Sequence, residues 1–269
     1  MKGKSAKSKN GRKKTLGWRF AGTSVCGTSH KRLALPCQDA YHFEQPSTEI
    51  MMMAVADGAG SASRSDEGAS IAVKAAISHL QESYIECLDP EDEEDIKSLV
   101  LDSVDRARLA VEKHAEESND VVSAFACTLL LTFATNKFVA LAQIGDGGVV
   151  IQDFDGKITG LTIPEPSTYA NETYFLVSSK AFEHTQFQLW KGETKHIAMF
   201  SDGLQYLCLQ MPEGTPYDKF FKPLFNFLDS SRDQTILEKN LTDFLNSQKV
   251  KDHTDDDITL IMSVFESYK

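Results

Sequence analysis

Residues 50–60 read Ile-Met-Met-Met-Ala-Val-Ala-Asp-Gly-Ala-Gly. The first seven side chains are apolar without a break, and the run stops at Asp57-Gly58. Seven residues is a strand length rather than a helix length, and an unbroken apolar run marks a strand buried on both faces. Asp-Gly is a common turn, but a hairpin needs a strand on each side of it. Here Ala59-Gly60-Ser61-Ala62-Ser63 follows, and then a helical pattern. Turn chemistry therefore explains Asp57-Gly58 poorly.

Working outward, Leu16–Gly27 is rich in β-formers and small residues and reads as a strand. Beyond the glycines, residues 66–88 change period: Ala69, Ala72, Val73, Ala76, Ile77, Leu80 and Tyr84 share one helical face. An acidic linker, Asp89 to Asp95, separates this helix from a second, whose apolar face carries Ile96, Leu99, Val100, Val104, Ala107, Val111 and Ala115. A short polar connection between two amphipathic helices predicts an antiparallel helical layer. Strands resume at 124–135 and 138–144, joined by Asn136-Lys137, and at 149–154 and 157–161, joined by Asp155-Gly156. Residues 162–174 read as a surface loop. Strands are expected near 174–179, at 194–200 and at 258–265, and helices at 216–229 and 233–247. Many strands with helices in two separate blocks predict an α+β fold. Its core would be a central β-sandwich of two antiparallel sheets flanked by pairs of helices, four layers in the order α-β-β-α.

The bulk numbers agree with one catalytic domain over 16–269, preceded by a disordered basic tail at 1–15. With 41% apolar residues the chain can bury a large core, and 25% charged residues is ordinary for a globular protein. Residues 1–14 carry seven cations and no acid, so the formal charge of −11 becomes −18 for the remainder. So acidic a body argues against a nucleic-acid partner and suits a protein that gathers carboxylates around cations. No apolar stretch is long enough to span a membrane, and the first residues do not form a signal peptide. Five scattered cysteines without a CxxC pair read as reduced thiols. The expected setting is the cytoplasm, and the expected state a monomer.

One pattern recurs along the chain. An apolar run reaches a small residue, then Asp, then Gly, at Asp57-Gly58, Asp146-Gly147 and Asp202-Gly203. Asp255-Asp256-Asp257 precedes the last strand, and Asp39 follows Pro36-Cys37-Gln38. Hard cations such as Mg²⁺ and Mn²⁺ prefer carboxylate, carbonyl and water oxygens. Carboxylates at strand ends sit on rigid supports and can converge at one rim of a sandwich. A glycine after the ligand would let a cation or water approach the backbone.

The ordered series Gln38-Asp39-Ala40, Ala56-Asp57-Gly58-Ala59-Gly60, Ala126-Cys127-Thr128-Leu129, Gly145-Asp146-Gly147, Ser201-Asp202-Gly203-Leu204 and Asp256-Asp257-Ile258-Thr259 resembles the metal-dependent protein phosphatases of type 2C. Gly27-Thr28-Ser29-His30 before Pro36-Cys37-Gln38-Asp39 places the resemblance in a bacterial branch. The resemblance implies a serine/threonine phosphatase that hydrolyses phosphorylated protein with two Mg²⁺ or Mn²⁺ ions. Asp57 would bridge both ions, the Gly58 carbonyl would bind one, and Asp202 and Asp256 would bind the other. Asp39 would hold metal-bound water, Asp146 would serve a looser third ion, and loop 162–174 would be a flap beside the site.

The chain departs from the family pattern in two places. The phosphate-binding Arg and the following Glu are replaced by Ala34 and Gln38, and the His after Asp-Gly is Ala59. Arg32, Lys31 or His30 could supply the phosphate contact, Arg32 being the expected one because its fork suits bidentate binding, and a metal-bound water or His30 would have to act as the acid. Two rivals stand beside this reading. One is a scaffold relative that binds phosphoprotein without turnover. The other is a cysteine phosphatase built on Cys26-x₅-Arg32.

Overall fold

The computed structural model describes residues 15–86, 92–162 and 174–268. The basic tail up to residue 14, residues 89–91 of the acidic linker and residues 163–173 of the expected flap loop lie outside them. In chain order the elements are β1 (Thr15–Val25), α1 (Thr28–Leu33), β2 (Ala40–Ser47), β3 (Ile50–Ala56), α2 (Ser65–Glu86), α3 (Glu93–Glu117), β4 (Leu129–Ala134), β5 (Phe138–Ile144) and β6 (Gly148–Asp153). They continue with β7 (Ile158–Gly160), β8 (Gln186–Lys191), β9 (Thr194–Phe200), α4 (Gln205–Cys208), β10 (Leu209–Gln210), β11 (Thr215–Pro216), α5 (Asp218–Ser230), α6 (Gln234–Leu245), α7 (Gln248–Lys251) and β12 (Ile258–Tyr268). One sheet runs β1-β12-β9-β6-β7 and the other β2-β3-β4-β5-β8. Every pairing in both is antiparallel.

The apolar run at 50–56 shows why these layers form. Successive strand residues face opposite ways. Met51, Met53 and Val55 enter the core between the sheets, beside Leu130, Leu141 and Met199. Ile50, Met52, Ala54 and Ala56 face α2 and α3, against Ala72, Val73 and Val104. The second sheet divides likewise: Ile197 and Met199 point inward, while Ala198 and Phe200 meet Phe221, Phe225 and Leu241 of α5 and α6. Three apolar interfaces therefore separate four layers, and the α-β-β-α sandwich read from the sequence is the observed fold.

Two details differ from the sequence reading. The strand expected near 174–179 is absent, and those residues form turns. Leu176 is buried there, its N–H bonded to the Cys127 carbonyl, so its apolar character serves loop packing. The edge strand is β8, where Phe187 and Leu189 pack towards the helices and Trp190 towards the inter-sheet core. The other edge strand, β2, is half-buried throughout most of its length, and no apolar run announces it.

Leu141 lies at the centre of the sandwich, 1% exposed. Leu141→Ala should cost about 3 kcal/mol in urea unfolding, whereas Phe154→Ala, at an exposed site, should fall within roughly 0.5 kcal/mol of wild type.

Candidate metal centre and active site

The antiparallel register brings the informative strand ends to one rim. β3 ends and β4 begins there, β5 turns into β6 there, and β9 ends where β12 begins. Asp57 leaves β3, Asp146 sits in the β5–β6 turn, Asp202 follows β9 and Asp256 precedes β12. All four line one cleft, with His30, Gln38 and Thr128 on its walls. Among the described residues, one carboxylate oxygen each from Asp57, Asp146 and Asp202 lies within 4.8 Å of the others. Asp256 lines the cleft outside this trio and is exposed. The sequence reading put Asp146 in an outer tier; the structure brings it into the closest group.

Neighbouring groups hold the acids in place. The Asp57 N–H donates to Thr128 Oγ1 at 2.9 Å, and the Thr128 N–H returns to the Asp57 carbonyl at 2.8 Å. The Asp146 turn needs glycine on both sides, since Gly145 and Gly147 have φ of 88° and 98°. Asp39 is buried, and Ser201 Oγ donates to its Oδ2 at 2.7 Å. At Gly203 the glycine serves a purpose different from the one expected. An added Cβ would lie 2.2 Å from the Asp257 carbonyl oxygen, so it is the neighbouring chain, not a cation, that needs the space.

The electrostatics are strained. Burial pushes the Asp57 carboxyl well above its ordinary value, and the Asp39 and Asp202 charges push it further. Asp202 rises to about 6, chiefly through burial, although a hydrogen bond with Asp57 opposes the rise. Asp39 rises to about 7 for the same first reason, while its hydrogen bond from Ser201 opposes it. Asp202 Oδ1 and Asp39 Oδ1 are buried with no hydrogen-bond partner among the described residues. Oxygen-only donors, mutual repulsion and orphaned carboxylate atoms fit hard divalent cations.

The expected phosphate-binding group lies elsewhere. Arg32 does not line the cleft; its side chain is 72% exposed and its Nη2 reaches Asp255 Oδ2 at 3.2 Å. His30 does line the cleft. The Cys26 thiol donates to the Gly27 and Leu35 carbonyls, and burial together with the Asp257 carboxylate holds it protonated. A protonated thiol without Arg32 beside it removes the cysteine-phosphatase reading. Cys26, Cys37, Cys127 and Cys208 are all free. The sequence reading gave Thr128, Ser201 and Asp257 no role of their own, although all three sit inside the motifs that carried the resemblance.

The sequence matches the protein phosphatase 2C family model over residues 26–246. Serine/threonine-protein phosphatase 3 of Escherichia coli (strain K12) is 34% identical over 260 residues, covering 93% of this chain and 99% of that protein. Among solved structures, the serine/threonine phosphatase Stp1 from Staphylococcus aureus has a TM-score of 0.61 at 14% identity, over 96% of this chain and 99% of that one. The catalytic domain of the serine/threonine phosphatase PstP, in complex with two manganese ions, gives 0.60 at 14%, over 93% and 99%. At such identities the structural likeness speaks for the fold. The chain belongs to the protein phosphatase 2C family and is a metal-dependent protein serine/threonine phosphatase.

The raised carboxyls make a testable link between pH and stability. Without metal, the folded state holds protons that the unfolded chain releases above about pH 4. That proton-linked stability is present at low pH and is lost as pH climbs through the raised values, to about 6 for Asp202 and about 7 for Asp39. The melting temperature of EDTA-treated protein should therefore fall between about pH 4 and pH 7, and Mn²⁺ should raise it more at the upper end. An Mn²⁺ effect that shrinks as pH rises would show that these carboxylates do not hold the cation.

Proposed function

We propose that the cleft holds two divalent cations, Mn²⁺ or Mg²⁺, and hydrolyses phosphoserine and phosphothreonine monoesters on protein substrates. The observation that carries this reading is the convergence of Asp57, Asp146 and Asp202 within 4.8 Å, with Asp202 Oδ1 buried and unpartnered. Asp57, one of the three converging acids, would be a principal ligand of the ions. The Gly58 carbonyl, Asp202 and Asp256 would complete their coordination, with Asp146 available to a third. Bound cations would supply Lewis acidity, lowering the pKa of water and neutralising the phosphoryl oxygens. Asp39, fixed by Ser201 and set behind the cleft, would accept a hydrogen bond from the attacking water and orient it.

His30 is the one basic side chain among the described residues lining the cleft. It would supply a proton to the departing oxygen. Arg32, held on Asp255 outside the cleft, would meet neighbouring parts of the protein substrate instead. The acidic body favours protein over nucleic acid as the partner. No described helix is long and apolar enough to cross a membrane. The free thiols among the described residues support a reducing, cytoplasmic setting, and the chain would act as a monomer.

Hydrolysis of p-nitrophenyl phosphate should require Mn²⁺ and stop with EDTA. Asp57→Ala should reduce it to background, and Asp39→Ala should reduce it roughly 10- to 100-fold. A wild type that binds phosphoprotein but shows no metal-stimulated rate would establish the scaffold reading instead.

A further inference from the structure

Asp257 is a buried carboxylate that the metal-binding reading leaves without a task. Only 2% of it is exposed. It accepts the Gly27 N–H on Oδ1 at 2.6 Å, and the Gln38 N–H on Oδ2 at 2.5 Å. The same Oδ2 lies 2.9 Å from His30 Nδ1. The imidazole is thus held from behind by a carboxylate. Its Nε2 has no protein partner among the described residues, and the side chain, 13% exposed, forms part of the cleft wall. The backbone on both sides is also fixed. Ser29 donates through its N–H and its hydroxyl to the Asp255 carbonyl, at 2.9 and 2.6 Å. α1 therefore sits on the loop that leads into β12.

A carboxylate on Nδ1 does two things to an imidazole. It fixes the ring, and it occupies Nδ1–H so that only Nε2–H of the doubly protonated ring is left for the cleft. The cleft needs such a group. Loss of phosphate from a seryl or threonyl ester leaves an alkoxide, which departs slowly unless protonated. The carboxylates of the cleft give up their protons when they bind cations, and Thr128 uses its hydroxyl as acceptor for the Asp57 N–H.

We propose that Asp257 is a positioning residue that sets His30 as the proton donor to the leaving oxygen, forming an Asp257–His30 dyad beside the carboxylate cleft. The step rests on the cleft being the phosphatase site. Water oxygen bonds to phosphorus, and the bond from phosphorus to the serine oxygen breaks with its electron pair on that oxygen. The Nε2 proton passes to the same oxygen. The products are inorganic phosphate and a serine hydroxyl, and the proton lost by the attacking water restores the imidazolium.

Two substrates separate this role from a structural one. A phosphoseryl peptide needs its leaving oxygen protonated, whereas p-nitrophenyl phosphate expels a stable phenolate that does not. With the full chain and Mn²⁺, His30→Asn should lower kcat on the peptide by about 10²-fold and leave p-nitrophenyl phosphate within about 3-fold of wild type. Asp257→Asn should lower the peptide rate by about 10-fold, with the same sparing of the aryl substrate. The double variant should be no slower than His30→Asn alone, since Asp257 acts through the imidazole. Mn²⁺ affinity, measured from the shift in melting temperature, should stay unchanged. Equal losses on both substrates, weakened Mn²⁺ binding or additive losses in the double variant would overturn the proposal. If Asp257→Asn fails to fold, the substrate split in His30→Asn still decides, because that side chain anchors no backbone. Absence of Mn²⁺-stimulated turnover in the wild type would overturn the cleft reading itself, and the dyad with it.

Discussion

A strand in the middle of a four-layer sandwich has apolar neighbours on both faces, so a polar side chain inside it must find a partner there, and carboxylates kept without one can stand only at its ends. Met51 to Val55 and Leu129 to Leu131 have no exposure to spare for a charge. Antiparallel pairing then carries the permitted positions to shared rims. Asp57, Asp146, Asp202 and Asp256 meet because four separate strand boundaries meet, not because they are near in sequence. The same layers that exclude water from the core shield the rim, which raises the cost of every charge placed there.

That cost separates the cleft from other buried polar groups. His196 is 1% exposed, yet Gln152 Oε1 faces its Nδ1, Asp229 Oδ1 faces its Nε2, and the ring stacks on Phe225. Burial lowers its pKa, but every polar edge has a partner, and the arrangement explains itself as structure. The aspartates of the cleft are the reverse case. Their backbones are well held by Thr128 and the glycine turns, while Asp202 Oδ1 and Asp39 Oδ1 are buried with no hydrogen-bond partner among the described residues. Groups fixed in place and denied partners are groups kept for a ligand.

Much of this was legible in the sequence because it depends on period and order. The unbroken run at 50–56 signalled two-sided burial, the 3.6-residue pattern located α2 and α3, and Asp155-Gly156 marked the β6–β7 turn. What escaped reading depends on tertiary context. Phe175-Leu176-Val177 is as apolar as a strand but packs as a loop, and half-buried β2 takes its order from its pairing with β3. Arg32 looked suited to phosphate by its chemistry alone. Its neighbour Asp255 comes from the far end of the chain, and nothing local could show that pairing.

The run Asp255-Asp256-Asp257 makes the same point at the scale of single residues. By composition the three are one acidic patch. At the entrance to an extended strand, however, neighbouring side chains turn to opposite sides. The register that pairs Ile258 with Val25 places Asp256 on the cleft and Asp257 in the interior, while Asp255 stays exposed beside Arg32. Three identical side chains thus become a cleft acid, a buried acceptor for two backbone N–H groups and a histidine, and a surface ion-pair partner. A shift of one residue would carry Asp257 to the cleft and Ile258 to the interior position, leaving Gly27, Gln38 and His30 without their acceptor. The pairing of β1 with β12, at the opposite sheet from Asp57, is therefore as much a determinant of the site as the aspartates themselves.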